Sequence, residues 1–295
     1  MSVDRSVAPK VQGFEDYILR KPDIVDLSTH SKLLDLHDPN VSAVKCEFVF
    51  RAGKIYDRFP ADSLLTSKLL PFNRLSSGQK LQEFVDRFGG YLDISTNDDY
   101  FTVTLYCISK YLSSLLPPFL EIFQITNFEQ DDFETIQQVT QEELAINLTK
   151  GKYIANQKLK EQLFDGTQYA RPIVPDNIDK SSLEKLQSFH ASNLITPILI
   201  NVSGNYESGT IQKLIEVFKS TPAIPLQNDS LPIPVIDSEE GKSEQTSIRF
   251  GSKLPISKVQ SLGAKVYNMM LGGYFGSRLM TTLREKHGLT YGIQA

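Results

Sequence analysis

Hydrophobic and polar positions alternate with two different periods along this chain, and the switches between them mark out the elements. Val44, Cys46, Phe48 and Phe50 alternate with Lys45 and Glu47, the pattern of a half-buried strand, which Ala52-Gly53 ends. Ala61–Leu70 reads as a helix limited by Pro71. Leu81, Phe84, Val85 and Phe88 follow at helical spacing. Ser76-x-x-Gln79 stands before them as a capping box, and Gly89-Gly90 stops the run. Tyr91–Thr96 and Tyr100–Cys107 read as a hairpin joined by Asn97-Asp98-Asp99. A helix starting at Pro117-Pro118 is expected next, because proline fits best at a helix start. A long helix follows from Asp131 or Asp132, with Ile136, Val139 and Leu144 on one face. It breaks near Gly151 and resumes to Phe164.

Ser181-x-x-Glu184 forms a second capping box ahead of Leu183, Leu186, Phe189 and His190. Ile198, Ile200 and Val202 make a strand closed by Gly204, and Ile211, Leu214, Ile215 and Phe218 a helix. Residues 1 to about 42 show only weak periodicity. The last fifty residues predict a strand over Thr246–Gly251 and a helix over Lys258–Met270. A second helix then begins at Ser277 as N-cap, places Leu279 and Leu283 on one buried face, and stops at Gly288. Leu289–Gln294 reads as a closing strand, which would bring Arg284 and Tyr291 to one place. Hairpins alternating with amphipathic helices argue for an α+β fold, with helices on one face of a mainly antiparallel sheet.

Residues 221–245 carry Pro222, Pro225, Pro232, Pro234 and the run Asp237-Ser238-Glu239-Glu240-Gly241, the composition of a linker. They divide the sequence into 1–220, the linker, and 246–295.

Composition narrows the function classes. A net charge of −4 over 295 residues offers no electrostatic footprint for nucleic acid. No apolar run approaches the roughly 18 residues that would span a bilayer. The first residues lack an apolar signal core, so the expected location is cytoplasmic. Cys46 and Cys107 both fall within strand-like alternation, as small buried hydrophobes rather than a disulfide or metal pair. His30 and His37 have no third ligand nearby, and His190 reads as a core-edge histidine.

The run Gly272-Gly273-Tyr274-Phe275-Gly276-Ser277-Arg278-Leu279, continuing through Leu283-Arg284-Glu285 and Gly288-Leu289-Thr290-Tyr291, resembles a C-terminal motif of the M16 zinc peptidases (pitrilysin, insulysin and mitochondrial processing peptidase): G-G-x-x-x-S-R-L-x-x-x-L-R-E-x-x-G-L-x-Y. Arg51-Ala52-Gly53, Gly89–Thr96 and the helix from Asp131 fall in the same family order, so the resemblance runs from about Val44 to Tyr291. It implies repeated α+β half-domains, two of which form one half of a clamshell, with two such halves enclosing a peptide chamber. One full half-domain and the start of a second are present, as in a fragment of a longer chain.

Active members of that family carry H-x-x-E-H. Two histidines one helical turn apart and a distal Glu bind zinc, and the motif Glu serves as base toward metal-bound water. No such string occurs here. Set by the apolar pair Leu69-Leu70, the motif falls on Leu64-Leu65-Thr66-Ser67-Lys68: Leu64 and Lys68 stand at the ligand positions and Ser67 at the base. Glu143, in Gln141-Glu142-Glu143-Leu144, corresponds to the distal ligand. Leucine has no lone pair to give and an ammonium repels zinc, so no metal is expected on this chain. Lys68 is expected to pair with Glu143 instead. Active relatives tend to show G-G-x-x-N-A on the substrate-edge strand, where this chain has Asp93-Ile94.

The resemblance implies that Arg284 and Tyr291, in the half opposite the zinc, hold substrate, since an Arg and a phenol can donate to peptide carbonyls or a developing oxyanion. The expected protein is a non-catalytic subunit of a two-subunit metallopeptidase. Its partner is an H-x-x-E-H-bearing homologue that carries the zinc, or a second copy of the chain. The alternative is a non-enzymatic scaffold subunit derived from such a peptidase.

Overall fold

A computed structural model describes residues 20–207, 209–219, 246–253 and 257–295. The expected linker over 221–245 lies outside them. Contacts divide the chain into a unit ending at Arg249 and a second, Phe250–Ala295.

The first unit is built on six strands: β1 (Asp23–Ser28), β2 (Ser31–His37), β3 (Ala43–Phe50), β4 (Tyr91–Thr96), β5 (Phe101–Ile108) and β6 (Leu199–Gly204). They lie in the order β1-β2-β6-β3-β5-β4, and every pair is antiparallel except β2 with β6. The period-two alternation in β3 puts Val44, Cys46, Phe48 and Phe50 on the buried face, beside Phe101, Val103, Leu105 and Cys107 of β5. Both cysteines are free thiols in this core. Helices share the core with this face: α1 (Asp62–Leu69), α2 (Leu81–Asp86), α3 (Leu112–Glu121), α4 (Gln130–Leu148), α5 (Gly151–Leu163), α6 (Pro175–Asp179), α7 (Leu183–Asn193) and α8 (Gly209–Phe218), with α4 and α7 packed on α1, and α5 and α6 on α4. Phe48, Phe50, Phe119, Phe123 and Phe218 form an aromatic cluster with ring centroids 4.9–5.9 Å apart, joining sheet, α3 and α8.

Several sequence expectations need correction. The weakly periodic start contains β1 and β2, which escaped notice because only Leu27, Ser31 and Leu33 on them are fully buried. Ser76 and Gln79 cap no helix. Residues 75–79 close a tight turn under an Arg74–Lys80 bridge, with Gly78 at φ 81°, and α2 begins after it. α3 starts at Leu112, five residues before Pro117-Pro118 in the sequence, so both prolines sit inside the helix. They remove N–H groups whose partners would be the carbonyls of exposed Ser113 and Ser114, which water can satisfy. Buried Leu115, Leu116, Phe119 and Leu120 hold the helix together. The cap of α7 is Ser182, accepting from the Lys185 N–H at 3.4 Å, rather than Ser181.

Gly53 is fixed by a close approach. A Cβ there would lie 2.5 Å from Asp98 O, Asp99 C and Tyr100 N. Its N–H donates to Asp99 O, and those of Lys54 and Ile55 to Asn97 O and Asp98 O, stitching the end of β3 to the β4–β5 turn.

The second unit holds α9 (Lys258–Gly272), capped reciprocally by Ser257 and Gln260, and a π-helical segment Met280–Lys286. The strands expected over 246–251 and 289–294 are absent, since neither segment has a ladder partner among the described residues. Gly288 does stop its helix in the left-handed conformation, at φ 61°. Its N–H reaches Arg284 O, the single closing bond of an αL cap, and that of Leu289 reaches Leu283 O. Ser277 is fully buried, but its hydroxyl makes no hydrogen bond and caps nothing; the turn is held by the Thr281 N–H donating to Ser277 O. Leu279 and Leu283 are only half-buried, because the wider π-turn shifts the i,i+4 stripe.

Candidate functional site

α1 carries the five positions that correspond to the zinc motif. Ala61, at φ 81°, turns the chain into the helix. Asp57 stands outside that first turn and accepts the Ser63 N–H at 2.9 Å, while the Asp62 carboxylate accepts the Phe59 N–H at 3.0 Å. Leu65, Thr66 and Leu69 are buried, which leaves Leu64 and Lys68 on a half-exposed stripe one turn apart. α4 packs alongside and presents Glu143 to that stripe.

Lys68 Nζ donates to Glu143 Oε2 in an ion pair between the two helices. The pair is not buried: the Lys68 side chain is 25% exposed and that of Glu143 56%. Ser67 Oγ is turned back onto its own helix, donating to Leu64 O at 2.7 Å. A zinc ion does not fit these residues. An ammonium occupies the one carboxylate, Leu64 offers no electron pair, and the Ser67 hydroxyl is engaged. Among the described residues no group of three or more His, Cys, Asp or Glu is arranged to hold a metal. His30 lies at the exposed β1–β2 turn, while the His37 ring packs edge-on to Tyr206 with centroids 5.1 Å apart. His190 is a core residue: its Nε2–H donates to Ile122 O at 2.6 Å, and burial lowers its pKa to about 4.

Asp93 is exposed on β4, an edge strand of the sheet. In the second unit, the Arg284 guanidinium lies over the Phe275 ring at 4.9 Å. Tyr291 is 94% exposed. Among the described residues no hydrogen bond joins Arg284 to Tyr291, and residues 289–294 form no strand.

Sequence reasoning missed a buried cluster of ionisable side chains at the foot of α1. Burial, with the neighbouring Asp62 charge, pushes Asp57 up to about 8, and burial pushes Asp62 to about 6. Arg171 lies among them, 3% exposed, with Nη1 donating to Asp57 O at 3.2 Å. These residues are 114 positions apart in sequence and belong to no spacing motif, so no local signal announces them.

Comparison with known proteins places this geometry among relatives. The sequence model described as insulinase (peptidase family M16) matches residues 70–177, and the one described as peptidase M16 inactive domain matches residues 181–295. The "Non-peptidase homolog YmxG" of Helicobacter pylori is 26% identical over 216 residues, covering 68% of this chain and 49% of that protein. The "Uncharacterized zinc protease YmxG" of Bacillus subtilis is 23% identical over 231 residues, covering 74% and 55%. The chain thus spans about half the length of the curated relatives it matches. Among solved structures, a peptidase M16 inactive domain from Pseudomonas fluorescens superposes with a TM-score of 0.74 at 20% identity, over 92% of this chain and 70% of that one. A protease from Helicobacter pylori superposes with a TM-score of 0.69 at 18% identity, over 91% and 69%.

Proposed function

The chain belongs to the M16 peptidase family, and on that premise we propose that it is a non-catalytic member, the zinc-less half of a two-subunit peptidase. The observation that carries this reading is the Lys68–Glu143 ion pair, a cation and a carboxylate joined where catalysis needs a metal and its ligand. The Helicobacter pylori relative described as a non-peptidase homolog supports it. In this reading a homologue bearing H-x-x-E-H supplies the zinc and activates the water. This chain contributes Arg284 and Tyr291 to the peptide, as donors to a carbonyl or the developing oxyanion. The solvent-facing phenol of Tyr291 suits that role in an assembled chamber.

A second reading, a scaffold subunit with no part in catalysis, is favoured by one feature. Arg284 is already engaged with the Phe275 ring.

The deciding experiment mixes the full-length protein containing this sequence with an H-x-x-E-H homologue and follows hydrolysis of a fluorogenic peptide. Hydrolysis that needs both chains, and falls at least about tenfold with Arg284→Ala in a complex that still forms, supports the trans site. A complex whose hydrolysis ignores Arg284→Ala and Tyr291→Phe supports the scaffold. Hydrolysis by this protein alone overturns both.

A further inference from the structure

Helix α5 ends in a tight turn. The Phe164 N–H donates to Lys160 O at 3.0 Å, and Phe164 O then accepts from the Thr167 N–H at 3.0 Å and from the Thr167 hydroxyl at 2.6 Å. The two residues looped out between these anchors are Asp165 and Gly166, both exposed. They form the single Asp-Gly step in the sequence, and Asn-Gly does not occur. The Gly166 N–H makes no hydrogen bond among the described residues. The Asp165 carboxyl likewise has no hydrogen-bond or ion-pair partner among them. Gly166 has φ 75°, and a Cβ built on it would meet nothing within 4 Å, so the peptide between Asp165 and Gly166 has room to rotate. Asp62-Ser63 is the contrast within the same chain. There the Ser63 N–H is committed to Asp57 Oδ1 at 2.9 Å, the Asp62 carboxylate accepts the Phe59 N–H at 3.0 Å, and both residues are buried.

We propose that Asp165-Gly166 is a site of spontaneous backbone modification, at which the chain closes to a cyclic imide and reopens as isoaspartate. In the carboxylic acid form, the Gly166 nitrogen attacks Asp165 Cγ. The N–Cγ bond forms, the C–OH bond breaks, and the hydroxyl leaves with the amide proton as water. Water added back at Cγ regenerates Asp165. Water added at the α-carbonyl frees an α-carboxylate and leaves the main chain running through Cβ and Cγ. The net change is an isomerisation, so it needs no oxidant, reductant or co-reactant beyond water. Proximity supplies the rate, because the nucleophile and the electrophile sit on adjacent residues and neither is engaged elsewhere. The extra main-chain carbon enters just before the turn Gln168–Ala170, from which Tyr169 donates its hydroxyl to Asp99. Isomerisation thus lengthens the path from α5 to a tether on the β4–β5 turn. The site is separate from the Lys68–Glu143 locus and from Arg284, so it stands whichever reading of the family role holds.

The test is incubation of the folded protein at pH 6 and 37 °C in water enriched in oxygen-18, followed by digestion in ordinary water and peptide mass spectrometry. Imide hydrolysis leaves an oxygen-18 in the product, and electron-transfer fragmentation tells isoaspartate from aspartate. The expected result is oxygen-18 and isoaspartate at residue 165, at least about tenfold more than at Asp62 in the same digest. Asp165→Glu, which would have to close a six-membered ring, is expected to lose the label at that position by about tenfold or more. A synthetic peptide of the sequence Leu163–Gln168, incubated alongside, reports the reaction of the free chain. No label at residue 165 of the folded protein while the peptide is converted overturns the proposal. So does label at Asp62 equal to that at Asp165, or label in Asp165→Glu equal to that in wild type. The comparison of Asp165 with Asp62 is made on wild type alone, so it decides even where the variant does not fold.

Discussion

Lys68 on α1 donates to Glu143 on α4, across a sequence separation of 75 residues. The contact inverts the chemistry of the locus. Where a family enzyme gathers lone pairs around a dication, this chain sets a monocation on a flexible stem against a single carboxylate. The carboxylate therefore keeps a counter-charge without any metal, and the helix pair stays electrostatically balanced in the zinc-less form.

Because Glu143 is more than half exposed, solvent screens the pair. Lys68→Ala is expected to lower stability by no more than about 1 kcal/mol in urea unfolding, and Glu143→Gln by a similar amount. A loss of about 3 kcal/mol or more for either variant would show that the pair behaves as a buried one.

Rebuilding the motif tests whether Glu143 stands where a distal ligand belongs. The combined substitutions Leu64→His, Ser67→Glu and Lys68→His leave Glu143 in place and free it from its ammonium. The variant is expected to retain about one zinc per chain after dialysis, read by elemental mass spectrometry, with almost none in wild type. A folded triple variant without zinc would mean that α4 does not present Glu143 as a third ligand.

Much of this locus was legible because its logic is local. The five positions on α1 are read by their distance from Leu69-Leu70, and the Lys68–Glu143 pairing follows from asking what balances a surviving carboxylate. The strands β3 and β5 were legible from Val44-Cys46-Phe48-Phe50 and Phe101-Val103-Leu105-Cys107, because one face of each is buried. Three kinds of feature were not. The prolines of α3 sit mid-helix because tertiary burial of Leu115, Leu116, Phe119 and Leu120 outweighs propensity. Tyr291 was expected on a strand, but a strand requires a neighbour, which no local pattern reveals. The Asp57–Arg171 contact joins residues with no common period, and only the folded chain brings them together.

His190 makes stability depend on acid. Its folded-state pKa of about 4 lies below the unfolded value near 6.5, so the unfolded chain binds the extra proton between them. The neutral ring's contribution is complete above pH about 6.5 and is lost as pH falls toward 4, by up to roughly 3 kcal/mol. In unfolding curves from pH 7 to 4, His190→Leu is expected to be less stable at pH 7, with the Ile122 carbonyl left without its donor, and to show a shallower acid slope. An unchanged slope would rule out His190 as its source.

Asp57 acts with the opposite sign. Its pKa is raised to about 8, above the unfolded value near 3.9, so the folded chain holds the proton more tightly. Its contribution is full below pH about 4 and is lost as pH rises through 8. Asp57→Asn keeps an oxygen for the Ser63 N–H and has no charge to bury. Relative to wild type it is expected to gain at least about 1 kcal/mol between pH 5 and pH 9. No relative gain over that interval would mean that Arg171 fully compensates the ionised carboxylate.

Gly53 offers a purely steric test of how β3 is tied to the β4–β5 turn. The three atoms that a Cβ would meet at 2.5 Å are all backbone, so no side chain can swing aside to admit a methyl group. Gly53→Ala must therefore push the 98–100 turn away and break the bonds from residues 53–55 to residues 97–99. A loss of about 2–4 kcal/mol is expected, in line with overpacking at a fixed contact. Hydrogen exchange should localise the change: the amides of Gly53, Lys54 and Ile55 are expected to lose protection, while those of Cys46 and Phe48 in the middle of β3 keep theirs. Protection retained at residues 53–55 in a folded Gly53→Ala variant would show that the turn can retreat without releasing its hydrogen bonds.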